Sequence, residues 1–195
     1  MQRLQRHTLP RERWANGLGW TRRVAHGTDA HGELLWRVSL AEITEAAPFS
    51  CFEGLDRTAV LVSGGPLALV GEAHTCALNQ PGDHACFAGE APLHNTQPAL
   101  PAQIWNVMVR RGALQAWVRC VDDQVWSASP EGIHFVWVLS GVWASYTVGH
   151  LGVDEGLRMD AADPGLALRP LTSGARLLHT WISPQPAGTR SPTGT

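Results

Sequence analysis

Short apolar runs, broken every few positions by Gly or Pro, set the pattern along most of this chain. From Leu35 to Ile43 the residues alternate. Trp36, Val38 and Leu40 fall on one side of an extended chain, and Arg37, Ser39 and Ala41 on the other. Thr58 to Ser63 predicts a second strand, Gly64-Gly65-Pro66 a turn, and Leu67 to Val70 a return strand, together a hairpin. Gln80-Pro81-Gly82-Asp83 predicts another turn before an apolar run through Phe87, and Ile104 to Val109 a further strand. Helical signals are weak throughout.

The second half repeats this plan. His134 to Leu139 predicts a strand, Ser140-Gly141 a turn, and Val142 to Val148 the return. Pro164-Gly165 precedes Leu166 to Leu168, and Arg176 to Ile182 closes as a last strand. The Ser-Gly turns stand 77 positions apart and the Pro-Gly turns 83. Two related β-barrels in tandem explain these offsets economically. The polar stretch from Asp122 to Glu131 suggests the boundary, giving a unit over 1–121, a second over 122–183, and a frayed tail over 184–195.

Composition agrees with a globular all-β chain of 195 residues: 44% hydrophobic and only 16% charged, with 20 Gly and 13 Pro. A formal net charge of -2 gives no reason to expect nucleic acid or an anionic membrane as partner. No signal-like leader or uninterrupted apolar span stands out, so a cytoplasmic protein with reduced thiols is the default expectation.

Three blocks carry candidate chemistry. In Trp14-Ala15-Asn16-Gly17-Leu18-Gly19-Trp20-Thr21 the glycines permit unusual backbone, and Asn16 offers both a donor and an acceptor. This block is either a loop over a pocket or a plug at a barrel end. In Trp36-Arg37-Val38-Ser39, an inward-facing Arg37 would need an anion or several acceptors, whereas an outward-facing one would sit in water. Periodicity does not decide between them. In Pro48-Phe49-Ser50-Cys51-Phe52-Glu53-Gly54-Leu55-Asp56-Arg57, Arg57 is either a second pocket cation or a surface partner of Asp56 or Glu53.

Metal and nucleophile chemistry find little support. The nine His show no HxH or HExxH spacing, and no GxSxG or phosphate-binding Gly loop occurs. No metal or other cofactor is expected. His84, after the Gly82-Asp83 turn, is the single candidate general acid or base. Trp137 and Trp143 mark either core or the face of a homodimer.

The blocks, in this order, resemble the HutD/Ves family, whose pattern runs approximately W-[KR]-N-G-x-G-x-T, W-R-x-S-x-A-x-I, F-S-x-F-x-G-x-x-R, a Gly-Gly hairpin, an F-A-F-like strand and D-F-N-x-M. The matches are Trp14, Asn16, Gly17, Gly19 and Thr21; Trp36, Arg37, Ser39, Ala41 and Ile43; Phe49, Ser50, Phe52, Gly54 and Arg57. Gly64-Gly65, Ala85-Cys86-Phe87, Asn106 and Met108 complete the series. Ala15, Leu18 and Trp105 depart from it.

The resemblance implies an all-β bicupin: two tandem cupin-like barrels or jelly rolls with few short helices and without the metal-binding His set of ordinary cupins. It implies a link to histidine utilisation, with a regulatory role and a small acidic ligand such as formylglutamate or formiminoglutamate. Arg37 and Arg57 would meet the ligand's carboxylates. Asn16, Thr21, Ser39, Ser50 and Asn106 would supply hydrogen bonds, and Trp14 and Phe49 apolar walls. The alternative is a metal-independent hydrolase or isomerase acting on a related metabolite.

Overall fold

In a computed structural model, residues 1–186 are described, apart from 15, 16, 18, 73, 74, 130, 162 and 164. The strands in chain order are β1 Gln2–Gln5, β2 Arg11–Arg13, β3 Trp20–Thr28, β4 Leu34–Ile43, β5 Ala47–Pro48, β6 Leu55–Ser63, β7 Leu67–Val70, β8 Thr75–Leu78, β9 His84–Ala88 and β10 His94–Asn95. They continue as β11 Ala102–Arg110, β12 Leu114–Asp122, β13 Trp126–Ser127, β14 Ile133–Ser140, β15 Trp143–Ser145, β16 Gly149–Leu151, β17 Glu155–Met159, β18 Ala167–Pro170 and β19 Arg176–Pro184. One turn of 3-10 helix, Arg6–Thr8, is the helical content among the described residues. No helix there is long and apolar enough to cross a membrane.

The chain divides into two compact units. The first is Pro10–Gln115, joined by Gln185, whose N–H donates to the Ala113 carbonyl at 3.0 Å. It has a six-stranded sheet, β2-β3-β4-β11-β6-β9, and a four-stranded sheet, β5-β10-β7-β8. The second is Met1–Leu9 with Ala116–Pro184. Its sheets are β1-β17-β14-β19-β12 and β13-β18-β15-β16. The unit limits thus differ from the expected division at 121/122. The first nine residues join the second unit because β1 pairs antiparallel with β17, Leu4 opposite Gly156, and Leu4 is 1% exposed. Sequence separation hides such a pairing.

The two strand-Gly-strand turns are not hairpins. β6 and β7 lie in different sheets, as do β14 and β15, so each turn carries the chain over a corner. Both corners need glycine. Gly64 has φ +71°, and a Cβ there would fall 2.0 Å from the Pro101 carbonyl oxygen. Gly141 has φ +73°, and its Cβ would fall 2.5 Å from Thr172 Oγ1 and 2.8 Å from Ala175 Cα. These are left-handed backbone positions with no room for a side chain. The repeat inferred from the sequence is therefore a repeated corner. The expected return strand over 142–148 is also shorter: β15 ends at Ser145, and β16 pairs back on it as a true hairpin.

Each unit buries an apolar cluster between its sheets. In the second unit Trp126, Val136, Val138, Trp143, Leu157, Met159, Leu168 and Leu177 fill the interior. Trp137 and Trp143 are 1% and 0% exposed within the single chain, so neither marks a dimer face. In the first unit the cluster holds Ala41, Ile43, Ala59, Leu61, Leu69, Leu78 and Ile104, with Trp14, Phe49 and Phe87 against it. It occupies only part of that interior, and polar side chains line the rest.

Candidate functional site

Register explains how the polar side chains meet. Across the six-stranded sheet of the first unit, Arg37 on β4, Met108 on β11, Arg57 on β6 and Phe87 on β9 form one row. The next inward-facing row runs Ser39, Asn106, Ala59, Ala85. A third runs Glu12, Thr21, Ala41, Ile104, Leu61. Side chains at alternate positions of every strand share a face, so each row projects into the same interior. Its apolar third row joins the core. The Arg, Ser and Asn rows border a cavity of about 250 Å³.

That cavity is lined by Trp14, Thr21, Arg37, Ser39, Phe49, Ser50, Arg57 and Asn106. These are all the sequence-predicted site residues except Asn16, which lies outside the described residues. The orientation left open for Arg37 and Ser39 is settled inward. Arg57 is not a surface partner of Asp56, which instead accepts from Arg111 Nε at 2.7 Å. Glu12, Arg13, Ala41, Ile43, Phe52 and Met108 line the cavity too. Ala41 was already on the face of Arg37 and Ser39 in the alternation, and Met108 could have been found by extending it from Asn106. Glu12 carried no such signal: Arg11-Glu12-Arg13 reads as a solvated edge. His84 stands on the outward face of β9, exposed and away from the cavity, because inward Ala85 fixes the parity of that strand.

Arg57 is the unusual group. It is 5% exposed. Its Nη1 donates to the Ser50 carbonyl at 3.0 Å and its Nη2 to Asn106 Oδ1 at 3.2 Å. The Phe49, Phe52 and Phe87 rings lie 5.0, 5.4 and 5.1 Å from its Cζ. Its Nε is buried without an acceptor, and among the described residues no carboxylate forms an ion pair with it. Ring faces attract a cation by about 0.5–2 kcal/mol each, and neutral acceptors help, but neither cancels a buried charge. Burial, then repulsion from Arg37, pulls the Arg57 guanidinium down to about 10, with Cys51 opposing. The residue remains a cation at neutral pH.

Arg37 has a counter-ion, although its Nε too is buried without an acceptor. Its Nη2 donates to Glu12 Oε2 at 3.3 Å, and Glu12 Oε1 lies 3.3 Å from Arg23 Nη1. Trp14 closes another side. Its N–H donates to the Gly19 carbonyl at 3.0 Å, and a Cβ on Gly19 would sit 2.8 Å from its ring. Among the described residues no three His, Cys, Asp or Glu side chains converge as a metal ligand set. The arrangement can hold a small anion against Arg57, inside aromatic walls, with amide and hydroxyl groups near.

In the second unit one row runs Leu157, Val136, His179 and the next Met159, His134, Trp181, which brings two histidines together beside the apolar core. His134 Nε2 donates to the Glu131 carbonyl at 2.8 Å, which leaves its Nδ1 to accept from His179 Nε2 at 3.0 Å. Both rings are neutral in this arrangement.

The HutD family model matches residues 6–176. The chain is 31% identical over 186 residues to the protein Ves of Escherichia fergusonii, covering 90% of each. Its fold is similar to HutD from Pseudomonas fluorescens SBW25, with TM-score 0.78 at 20% identity over 94% of this chain and 98% of that one. It is also similar to a cupin 2 conserved barrel domain protein from Leptotrichia buccalis, with TM-score 0.56 at 12% identity over 84% and 88%.

Proposed function

The chain belongs to the HutD family of bicupins, and from that premise we propose that its Pro10–Gln115 barrel is a binding module for a small carboxylate metabolite. The observation that carries this reading is Arg57: a buried cation that lines a cavity, lacks a carboxylate partner among the described residues, and keeps a buried Nε–H without an acceptor. A ligand carboxylate would meet the guanidinium fork in bidentate fashion and supply the missing countercharge. Asn106, Ser39 and Thr21 would orient the rest of the ligand, with Trp14 and Phe49 as walls. Acidic metabolites of the formylglutamate or formiminoglutamate kind are the ligand class, and regulation of histidine utilisation is the role, that the family resemblance suggests.

A thermal-shift screen of small carboxylates, including those two metabolites, tests the proposal. A ligand at 100 times its Kd adds about 2.7 kcal/mol to stability. We expect a clear rise in melting temperature with at least one acid. No rise with any acid at millimolar concentration contradicts the reading.

One observation favours a second reading, a metal-independent enzyme. Glu12 places a carboxylate at the cavity wall, where a general base would stand. Turnover of a bound metabolite that disappears in Glu12→Gln, with binding kept, would select it.

A further inference from the structure

Glu12 is the one carboxylate among the described residues lining the cavity, and it divides the cavity's charge in two. It sits on the edge strand β2, opposite Thr21. Each of its oxygens meets one arginine, Arg37 on one side and Arg23 on the other, both at 3.3 Å. A carboxylate oxygen has two lone-pair sites. After those contacts each oxygen keeps acceptor capacity, and the side chain remains 33% exposed. The Nε of both arginines is buried without an acceptor, but Arg37 already holds a counter-ion in Glu12, whereas among the described residues Arg57 holds none. A ligand carboxylate brought to Arg37 would have to expel Glu12 or lie beside it, like charge against like charge. A ligand N–H in the same place would find an acceptor.

We infer that Glu12 sets the choice of ligand: the cavity takes a carboxylate that also carries a hydrogen-bond-donating nitrogen, with the carboxylate at Arg57 and the nitrogen at Glu12, in preference to a plain dicarboxylate. This rests on the carboxylate reading of Arg57 proposed above. It departs from the expectation that Arg37 and Arg57 each hold a ligand carboxylate. The physical basis is that a buried site selects by penalising the wrong group as much as by rewarding the right one.

Calorimetric titration with three probes of equal carbon-chain length tests it: glutarate, with two carboxylates; glutaramate, with a carboxylate and an amide; and 5-aminovalerate, with a carboxylate and an ammonium group. Against wild-type protein, glutaramate or 5-aminovalerate should bind at least about tenfold more tightly than glutarate. In Glu12→Gln the glutarate affinity should rise by about tenfold and 5-aminovalerate should lose its advantage. If glutarate binds wild type as tightly as the nitrogen probes, or if Glu12→Gln leaves the order unchanged, Glu12 does not set the choice, and the carboxylate reading of Arg57 stands. If none of the three binds either protein, the carboxylate reading falls and takes this inference with it.

Discussion

Arg37 and Arg57 stand two strands apart on one row of the same sheet, each the register partner of Met108. Neighbouring strands are about 4.8 Å apart, so the two arginines leave the sheet about 10 Å apart, and both line the cavity. Among the described residues, Arg37 has a carboxylate, Glu12, within reach, and Arg57 has none. The asymmetry leaves Arg57 as the group that gains most from an anion.

An internal carboxylate at that point should satisfy Arg57 and displace the ligand. Asn106 Oδ1 accepts from Arg57 Nη2 at 3.2 Å, so Asn106→Asp places a negative charge on the cation with little change of shape. Charge-assisted hydrogen bonds contribute about 1.5–3 kcal/mol. After desolvation we expect a gain near 1 kcal/mol, a rise in melting temperature of about 2–4 °C, and carboxylate binding weakened at least about tenfold. Thermal denaturation with and without ligand checks both, and a lower melting temperature would contradict the uncompensated charge.

Trp14 holds its place through Gly19. A Cβ there would press on the indole at 2.8 Å, so Gly19→Ala should push the ring from the cavity wall. The expected cost is about 1–3 kcal/mol in stability, as for other overpacked sites. Ligand affinity should fall with it. An alanine variant that melts and binds like wild type would show that the wall is not built on this contact.

The second barrel should be acid-sensitive. Burial, with repulsion from His134 and Arg119, pulls the His179 imidazole down to about 3, and burial lowers His134 too. Folded His179 stays neutral well below the ordinary value of 6.5, near which unfolded histidines take protons. Below that value the unfolded state binds more protons, so stability is complete above it and is lost as pH falls toward the folded value. Each such proton costs about 1.4 kcal/mol per pH unit. Urea midpoints at about pH 7.5 and about pH 5 should differ in wild type and converge in His179→Leu. Equal midpoints in wild type would contradict a neutral His179.

Much of this site was legible in the chain, for reasons particular residues make plain. Arg37, Ser39 and Ala41 alternate with Trp36, Val38 and Leu40, and a strand obeys that parity whatever surrounds it. Which face is inside depends on the partner strands, so inwardness appeared only with the sheet. Glu12 was invisible because its place at the cavity comes from β2 pairing with β3, next to Arg37's strand, and Arg11-Glu12-Arg13 has no apolar pattern. The Gly64 and Gly141 turns were seen, but a turn between sheets and a turn within one look alike in sequence. The place of Leu4 in the second unit needed a contact across 152 positions, with Gly156.

The central claim is that Arg57 grips a carboxylate, and Arg57→Met tests it most directly. Met keeps most of the length and packs well against the three Phe rings, and replacing a buried charge by an apolar group of similar volume is often neutral or stabilising. Calorimetric titration with the acid that most raises the wild-type melting temperature should show saturable binding to wild type. In a folded Arg57→Met protein the affinity should fall by about 2–5 kcal/mol. Equal affinity in the two proteins would contradict the account.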